Sequence, residues 1–363
     1  MKFGLIYDST YCHITGQFFR ESLRETDKLH FDLSVYKSDA DIQQFLDRAS
    51  QSGEYPDVIL HETGAPGLPR GLEKVSTPTA CLDIDTFGWT HLRVKWAMLF
   101  DYAFTWHPSY VRLFQEAGHP RVFAIPHAVD ARFFRGLPVA SDRRYDLGFV
   151  GNSGLPQYRQ RDRIMSILAG RFKMNDFARK CSKEDMVEVY EQSRIAVNVS
   201  RAEFPAEANM RCYEAMAGGA LLMTAMPTEL TEWGFLEGEH FIGWHSEDEI
   251  PGLVDQFLRC PERRLAIAHA GQDRTLKDFT YQRCAEMMID IIGRDEGRLF
   301  APSRDWPPER VHLLYLSYYD RFGLSSAALE EFRRLREANP RAYWRGLPMV
   351  LKTLRRAIAH SLM

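Results

Sequence analysis

The stretch 209–223 combines groups that could bind a nucleotide diphosphate. It reads NMRCYEAMAGGALLM, which predicts a polar loop, a short helix, a glycine pair that ends the helix, and a buried strand. The amino end of such a helix presents backbone N–H groups and the positive end of the helix dipole, which suits a phosphate. Glu214 lies about one turn further along, where its carboxylate could accept hydrogen bonds from the two hydroxyls of a ribose.

Basic side chains stand where they could neutralise the charge of a diphosphate. Arg211 falls at the start of the predicted helix, while Arg159 and Arg161 follow a glycine-containing loop whose N–H groups can approach a phosphate. Asn198 ends a predicted strand. Asn209 could contact the ligand or simply cap the helix, a position that its short side chain suits. The predicted donor contacts are Gly151, Asn152, Ser153, Arg159, Arg161, Asn198, Asn209, Arg211 and Glu214.

The elements that must position these residues alternate between strand and helix patterns, which predicts parallel sheets covered by helices. In the first part of the chain, the strand candidates are 2–7, 31–36, 57–61, 79–83, 102–105 and 122–125, and the helix candidates are 16–26, 39–50, 67–75, 92–99 and 108–117. A second α/β part has strands at 146–151 and 195–199 and helices at 163–169, 183–192, 250–259 and 263–276. We predict domains at 1–140 and 141–293, followed by a helical extension at 294–363.

The extension ends in a predicted helix, 343–362, with an apolar stripe and a basic face. The stripe contains Leu347, Val350, Leu351, Leu354, Ile358 and Leu362. The helix could pack this stripe against the N-terminal domain, or it could lie on an anionic membrane surface as basic amphipathic helices can. We favour packing, because most amphipathic helices bury their stripe in a core.

Composition indicates an ordinary two-domain enzyme. A chain of 363 residues suits two domains, and a hydrophobic content of 45% allows two cores. The net charge of -3 gives no reason to propose nucleic acid as a partner. Six scattered cysteines indicate neither a zinc site nor a disulfide framework. We find no signal-peptide pattern and no apolar run of membrane-spanning length, so we expect a cytoplasmic protein, peripheral at the inner face of the membrane if the last helix binds lipid.

Five blocks, in this order along the chain, resemble those of GT-B glycosyltransferases, most closely the spore-maturation-protein-like group of family 1. They are YDLGFVGN at 145–152, YEQSRIAVN at 190–198, NMRCYEAMAGG at 209–219, EGEH at 237–240, and ERRLAIA at 262–268 with the glycine at 271. The resemblance implies the GT-B fold, in which two Rossmann-like domains face a cleft. It further implies a nucleotide sugar bound to the second domain and an acceptor bound across the cleft.

The resemblance also implies that the first domain contributes residues near the diphosphate or the acceptor. His13 lies in the loop after the first predicted strand and His107 follows a later one, so either could stabilise charge or transfer a proton. Asp83 and Asp85 have the spacing of a metal-binding pair, but GT-B enzymes generally use basic side chains and helix dipoles instead of a metal. We therefore predict catalytic contributions from His13, Asp85 and His107, with no metal and no cofactor.

One departure from the family concerns the retaining mechanism. Retaining relatives carry two glutamates separated by seven residues. Glu214 matches the second, whereas Ala206 stands eight positions earlier and Glu207 is one residue off. Retaining stereochemistry is therefore implied by the resemblance alone. We predict a metal-independent glycosyltransferase that moves a sugar from a nucleotide-diphosphate sugar to a polysaccharide, a lipid-linked glycan or a protein. A non-catalytic nucleotide-sugar-binding protein and an epimerase of the same fold remain alternatives.

Overall fold

The structure is a computed structural model that describes residues 1–6, 21, 40–62, 67–83, 86–87, 89–134, 142–201, 204, 207–226, 228–295 and 301–361. The chain divides into two compact units. We call Met1–Ile125 together with Met288–Met363 the terminal unit, and Pro126–Met287 the central unit. Each unit contains a parallel sheet with helices in its connections, as the alternating sequence pattern predicts.

A five-stranded parallel sheet forms the centre of the terminal unit. Its strands, in spatial order, are β1 (Phe3–Ile6), β2 (Val58–Glu62), β3 (Thr79–Asp83), β4 (Tyr102–Thr105) and β5 (Val122–Ala124). The connections include α1 (Ile42–Ser52), α2 (Thr90–Trp96) and α3 (Pro108–Glu116). Every residue of β1, β3 and β4 is buried, which explains why these strands are mostly apolar in sequence. The predicted strand 31–36, and the predicted helix 16–26 apart from residue 21, lie outside the described residues.

A four-stranded parallel sheet forms the centre of the central unit. Its strands, in spatial order, are β6 (Tyr145–Gly148), β7 (Ser193–Asn198), β8 (Leu221–Ala225) and β9 (Ile242–Trp244). The helices are α4 (Arg159–Ala169), α5 (Lys183–Glu191), α6 (Met210–Ala217), α7 (Ile250–Arg259) and α8 (Pro261–Asp278). The next helix, α9 (Tyr281–Gly293), begins in this unit and ends in the terminal unit. Helix α6 leads directly into β8, so the predicted order of loop, helix, glycine pair and buried strand is confirmed.

Three helices complete the terminal unit: α10 (Pro308–Phe322), α11 (Ser325–Ala338) and α12 (Tyr343–Ser361). Tyr318 of α10 packs edge-on against Trp96 with ring centroids 4.8 Å apart. The Thr353 hydroxyl of α12 donates to an Asp320 carboxylate oxygen at 2.7 Å. Val350 of α12 is buried with the core of the unit, so the structure shows the packed alternative for the last helix. The predicted stripe is displaced, however, because Leu351 remains 46% exposed.

Residues 67–75, for which we predicted a helix, form turns instead. The Arg70 N–H donates to the Ala40 carbonyl, and the Ile42 N–H donates to the Arg70 carbonyl, both at 2.9 Å. The segment therefore pairs with the backbone that precedes α1. Gly71 has a φ of 84°, which a right-handed helix cannot include. Leu68 and Leu72 have the spacing of a helical face, but they are buried beside a turn.

The borders of the two units differ from the predicted domain borders at 140 and 293. The Val129 N–H donates to the Phe279 carbonyl at 2.9 Å, which joins the segment after Ile125 to the central unit. At the other border, Arg121 Nε donates to an Asp295 carboxylate oxygen at 2.6 Å, within the terminal unit. The last helices thus belong to the same compact unit as the first sheet, and they do not form a separate extension.

Candidate functional site

Three segments of the central unit lie together beyond the carboxyl ends of β6 and β7. They are the loop 149–154, the residues 199–201, and the start of α6. In open parallel sheets this edge is where ligands bind, because the loops that follow the strands open there. Most of the predicted donor contacts fall on these three segments.

The start of α6 is fixed by Asn209. Its side-chain oxygen accepts a hydrogen bond from the Arg211 N–H at 3.1 Å, so Asn209 is the N-cap of the helix. Its amide nitrogen donates to Asn198 Oδ1 and to Ser200 Oγ, both at 3.3 Å. Asn198 is buried and donates to Thr224 Oγ1 at 3.1 Å. The capping role that we considered for Asn209 is therefore confirmed, and both asparagines hold the helix in place.

Arg161 holds the loop 149–154 against the end of β7. Its Nε donates to the Val199 carbonyl at 2.9 Å, and its Nη1 donates to the Asn152 carbonyl at 3.1 Å. Burial, together with the like charges of Arg211 and Arg201, lowers the pKa of Arg161 to about 10. The predicted Arg161 thus lies at the site, where it positions the loop and adds to a cluster of positive charge.

Arg211 lies against the glycine of this loop. A Cβ atom built on Gly151 would lie 3.4 Å from Arg211 Nε and only 2.7 Å from the ring of Phe149, so any side chain there would displace one of them. Glycine therefore lets the loop backbone approach the arginine closely. In the described part of the chain, no hydrogen bond or ion pair engages the guanidinium of Arg211. A partly buried cation of this kind is well placed to bind an anion.

Glu214 is the buried carboxylate of α6, with 7% of its surface exposed. Among the described residues, none forms a hydrogen bond or an ion pair with its side chain. Burial raises its pKa to about 7, although the positive charges of Arg211 and Lys183 oppose the shift. Burying an unpartnered carboxylate destabilises a protein, and such groups cluster at functional sites.

Lys183 and Asp130 also lie near the candidate site, although no sequence pattern predicted them there. Lys183, the first residue of α5, lies 3.4 Å from an Asp130 carboxylate oxygen and 3.1 Å above the Phe133 ring. Burial opposes ionisation of Asp130, but hydrogen bonds from Arg132 and the charge of Lys183 hold its pKa below the ordinary value. The two residues are 53 positions apart, so no local spacing could predict this pair.

Arg201 is a third residue that the sequence analysis missed. It follows β7, stacks on Phe204 with its guanidinium 5.4 Å from the ring centre, and contributes positive charge at Arg161. Its position three residues after Asn198 could have identified it, because residues just beyond a strand end face the ligand edge of a parallel sheet.

The remaining predicted contacts are on the surface of the same edge. Arg159, the first residue of α4, and Asn152 are exposed, whereas Ser153 is half-buried. Their contact with a ligand stays a prediction.

Of the catalytic candidates in the terminal unit, His13 and Asp85 lie outside the described residues. His107 is buried after β4, with its ring edge-on to Tyr110 at 5.6 Å, and its catalytic role stays a prediction. Asp83 is buried and forms an ion pair with Arg93 and a hydrogen bond with Thr86. In the parts of the chain that are described, no cluster of three or more His, Cys, Asp and Glu side chains could hold a metal ion.

Comparison with known proteins agrees with this architecture. Residues 135–290 match the family model described as glycosyl transferase-like. No curated protein matches the sequence. HepE of Anabaena, solved in complex with UDP-glucose, is similar at 12% identity and a TM-score of 0.56, over 81% of this chain and 99% of that chain. A glycosyltransferase from Rickettsia africae is similar at 8% identity and a TM-score of 0.55, over 81% and 99%. Sucrose-phosphate synthase from Thermosynechococcus elongatus is similar at 12% identity and a TM-score of 0.50, over 81% and 98%.

The two parallel-sheet units and these similarities define a protein of the GT-B fold. Most of the segment that matches the glycosyl transferase-like family model lies in the central unit. The predicted fold and the resemblance to GT-B glycosyltransferases are thereby confirmed, while the spore-maturation-protein-like group stays a prediction. None of the helices in the described part of the chain is long and apolar enough to cross a membrane.

Proposed function

We propose that the chain is a glycosyltransferase that uses a nucleotide-diphosphate sugar as donor and binds it at the edge formed by loop 149–154 and α6. The proposal rests on the two charged side chains of α6. Arg211 and Glu214 lie one turn apart on α6, with no hydrogen bond or ion pair to either side chain from any described residue. A nucleotide diphosphate supplies both missing partners, since its phosphates bind the cation and its ribose hydroxyls donate to the carboxylate.

In glycosyl transfer, the bond between the sugar C1 and the terminal phosphate oxygen breaks, and its electron pair leaves with the nucleoside diphosphate. A bond from C1 to the acceptor oxygen forms, and the acceptor hydroxyl gives up its proton to a base or to the leaving diphosphate. Negative charge develops on the leaving diphosphate, so groups that already point at it stabilise the transition state. Arg211 would contact this charge directly. Arg161, Arg201 and Lys183 would add to the positive field. Arg161 interacts electrostatically with both Arg211 and Arg201, and Lys183 interacts with Glu214. Glu214 would orient the ribose.

We propose that catalysis is metal-independent, because this positive cluster can neutralise the diphosphate and because Asp83 is occupied by Arg93 and Thr86. Turnover should survive exhaustive treatment with EDTA. The assay measures free nucleoside diphosphate released from the donor, with and without chelator. Loss of turnover that magnesium or manganese restores would contradict the proposal and would favour the Asp83–Asp85 segment as a metal site.

A uridine diphosphate sugar is the first donor to test, since HepE was solved with UDP-glucose. Slow hydrolysis of the donor without an acceptor would support a transferase. Tight donor binding with no release of nucleoside diphosphate under any condition would favour the non-catalytic binding protein, and conversion into a free epimeric sugar or nucleotide sugar would favour an epimerase. The acceptor remains open among polysaccharide, lipid-linked glycan and protein. Retention at C1 stays a prediction that NMR of the product anomer would test.

A further inference from the structure

The last helix, α12, presents one face to the core and a different face to solvent. Gly346, Val350 and Thr353 are buried, and a Cβ atom on Gly346 would lie 2.8 Å from a Leu335 methyl group. The helix therefore packs tightly on α11 through this inner face. The residues on the opposite side of α12 are exposed to solvent.

The opposite side carries apolar and basic residues together. Trp344, Pro348, Leu351 and Arg355 follow the spacing i, i+4, i+7 and i+11, which places them on one stripe of the helix. Trp344 is 69% exposed and Leu351 is 46% exposed. We call this stripe, together with the flanking Arg345, the outer face of α12. Single exposed apolar residues are common, but a tryptophan and a leucine aligned among arginines are typical of helices that lie on membranes.

The charge of α12 has a single sign. Between Tyr343 and Ser361 the chain contains four basic residues and no acidic residue. Lys352 and Arg356 contact Asp320 of α10, which neutralises part of the charge at the side of the helix. For Arg345 and Arg355 we find no ion pair with any described residue. The outer face thus combines an exposed indole with two arginines that an anionic surface would complement.

The Trp344 side chain packs against a neighbouring aromatic ring. Its ring lies edge-on to Tyr343 at 5.3 Å between ring centroids, and the Tyr343 ring in turn packs at a tilt on Phe332 of α11 at 4.5 Å. A supported indole loses little conformational freedom when it enters another phase.

We propose that the outer face of α12 docks on an anionic lipid bilayer, with Trp344 and Leu351 in the interfacial region and Arg345 and Arg355 on the headgroups. Tryptophan favours the membrane interface, and each arginine near an anionic surface strengthens binding about fivefold. The helix does not leave the core in this arrangement, because its inner face stays packed. The inference does not depend on the proposed function.

Co-sedimentation of the full chain with phosphatidylglycerol vesicles tests the proposal, with phosphatidylcholine vesicles as the neutral comparison. We expect binding to the anionic vesicles that weakens as salt rises, and little binding to the neutral ones. The double variant R345E/R355E should lose at least about 25-fold in affinity. Trp344→Ser should bind more weakly at every salt concentration, and its circular dichroism melt should match the parent.

Two matched controls separate this face from general surface effects. R259E/R294E changes the net charge by the same amount on exposed arginines elsewhere, and Leu329→Ser removes a leucine of similar exposure on α11. Both should bind like the parent. Equal loss in the controls, or no binding of the parent to phosphatidylglycerol, would overturn the proposal. Concentration-dependent dimerisation that Trp344→Ser abolishes, without vesicle binding, would overturn it in favour of a second copy of this chain.

Discussion

The two units differ in how their buried charges are partnered. In the terminal unit, Asp83 pairs with Arg93, and Glu331 lies 2.5 Å from a ring nitrogen of His312. Glu73 accepts a hydrogen bond from the Tyr315 hydroxyl at 2.9 Å. These carboxylates are all buried and all have a partner inside the unit. Their partnership indicates that they serve the fold.

The central unit places two opposite charges one turn apart on α6 and satisfies neither side chain from the residues described there. Asn209 and Asn198 instead hold the start of α6 in place, and Arg161 holds the neighbouring loop. The buried polar groups of the terminal unit thus stabilise it, whereas the two charged side chains of α6 are available to a ligand. This difference predicts opposite consequences for mutations in the two units.

The largest expected change in stability comes from replacing a buried carboxylate of the terminal unit. Asp83→Ala should lower the free energy of unfolding by about 3–5 kcal/mol, because it removes the buried carboxylate that forms an ion pair with the buried Arg93. Urea denaturation measures the loss. Asp83→Ala/Arg93→Leu should recover part of it, since no charge then remains buried. A variant with unchanged stability would show that Asp83 is not a structural residue.

Replacement of Glu214 should have the opposite effect and raise the free energy of unfolding. One pKa unit corresponds to about 1.4 kcal/mol. The rise of the Glu214 pKa from 4.5 to about 7 therefore means that ionisation destabilises the folded state by about 3 kcal/mol. Between these two pH values the folded state binds more protons than the unfolded state, so stability falls as pH rises, and the full penalty applies above pH 7.

Glu214→Gln removes this titration. We expect the ligand-free variant to be more stable than the parent at pH 8, by up to about 3 kcal/mol, with a much smaller gain at pH 5. Thermal or urea denaturation at the two pH values measures the difference. An equal effect at both values would mean that the carboxylate is not strained by burial.

The smallest expected effect is at the helix cap. Asn209→Ala should cost about 1 kcal/mol of stability, because the Arg211 N–H loses its acceptor. Asn209→Ser should restore most of the loss, since serine also caps helices. If both variants were as stable as the parent, the cap would not contribute to the fold of this region.

Much of the fold could be predicted because strong local patterns determine it. β3 and β4 lie at the predicted residues, and α6 follows from a polar cap and a glycine pair. The helix predicted at 67–75 was wrong, because two buried leucines at helical spacing can also belong to a turn that packs against α10. The Tyr319 hydroxyl of that helix donates to the Leu68 carbonyl at 2.9 Å, across 251 residues, which no local pattern can reveal.

The candidate site also contains residues that a local pattern predicts and residues that only tertiary packing brings together. The positions of Asn209, Arg211 and Glu214 at the cap and in the first turns of α6 could be predicted, because they belong to one short motif with known helix-end chemistry. Their contact with a ligand stays a prediction. Asn198 was predicted as a donor contact, but its amide is engaged with Thr224 and Asn209. Lys183 and Asp130 could not be predicted, since they are brought together only by the packing of α5 on the segment after Ile125.

Calorimetric titration of Glu214→Ala tests whether α6 binds the nucleotide through this carboxylate. The ligand is the nucleoside diphosphate that most raises the melting temperature of the parent, with UDP as the first choice. Loss of hydrogen bonds to a charged group costs about 1.5–3 kcal/mol, so affinity should fall about tenfold to a hundredfold while the protein stays folded. Arg159→Ala, an exposed arginine on the same edge, serves as the comparison for a peripheral contact. An affinity of Glu214→Ala equal to that of the parent would contradict the assignment of α6 as the nucleotide site.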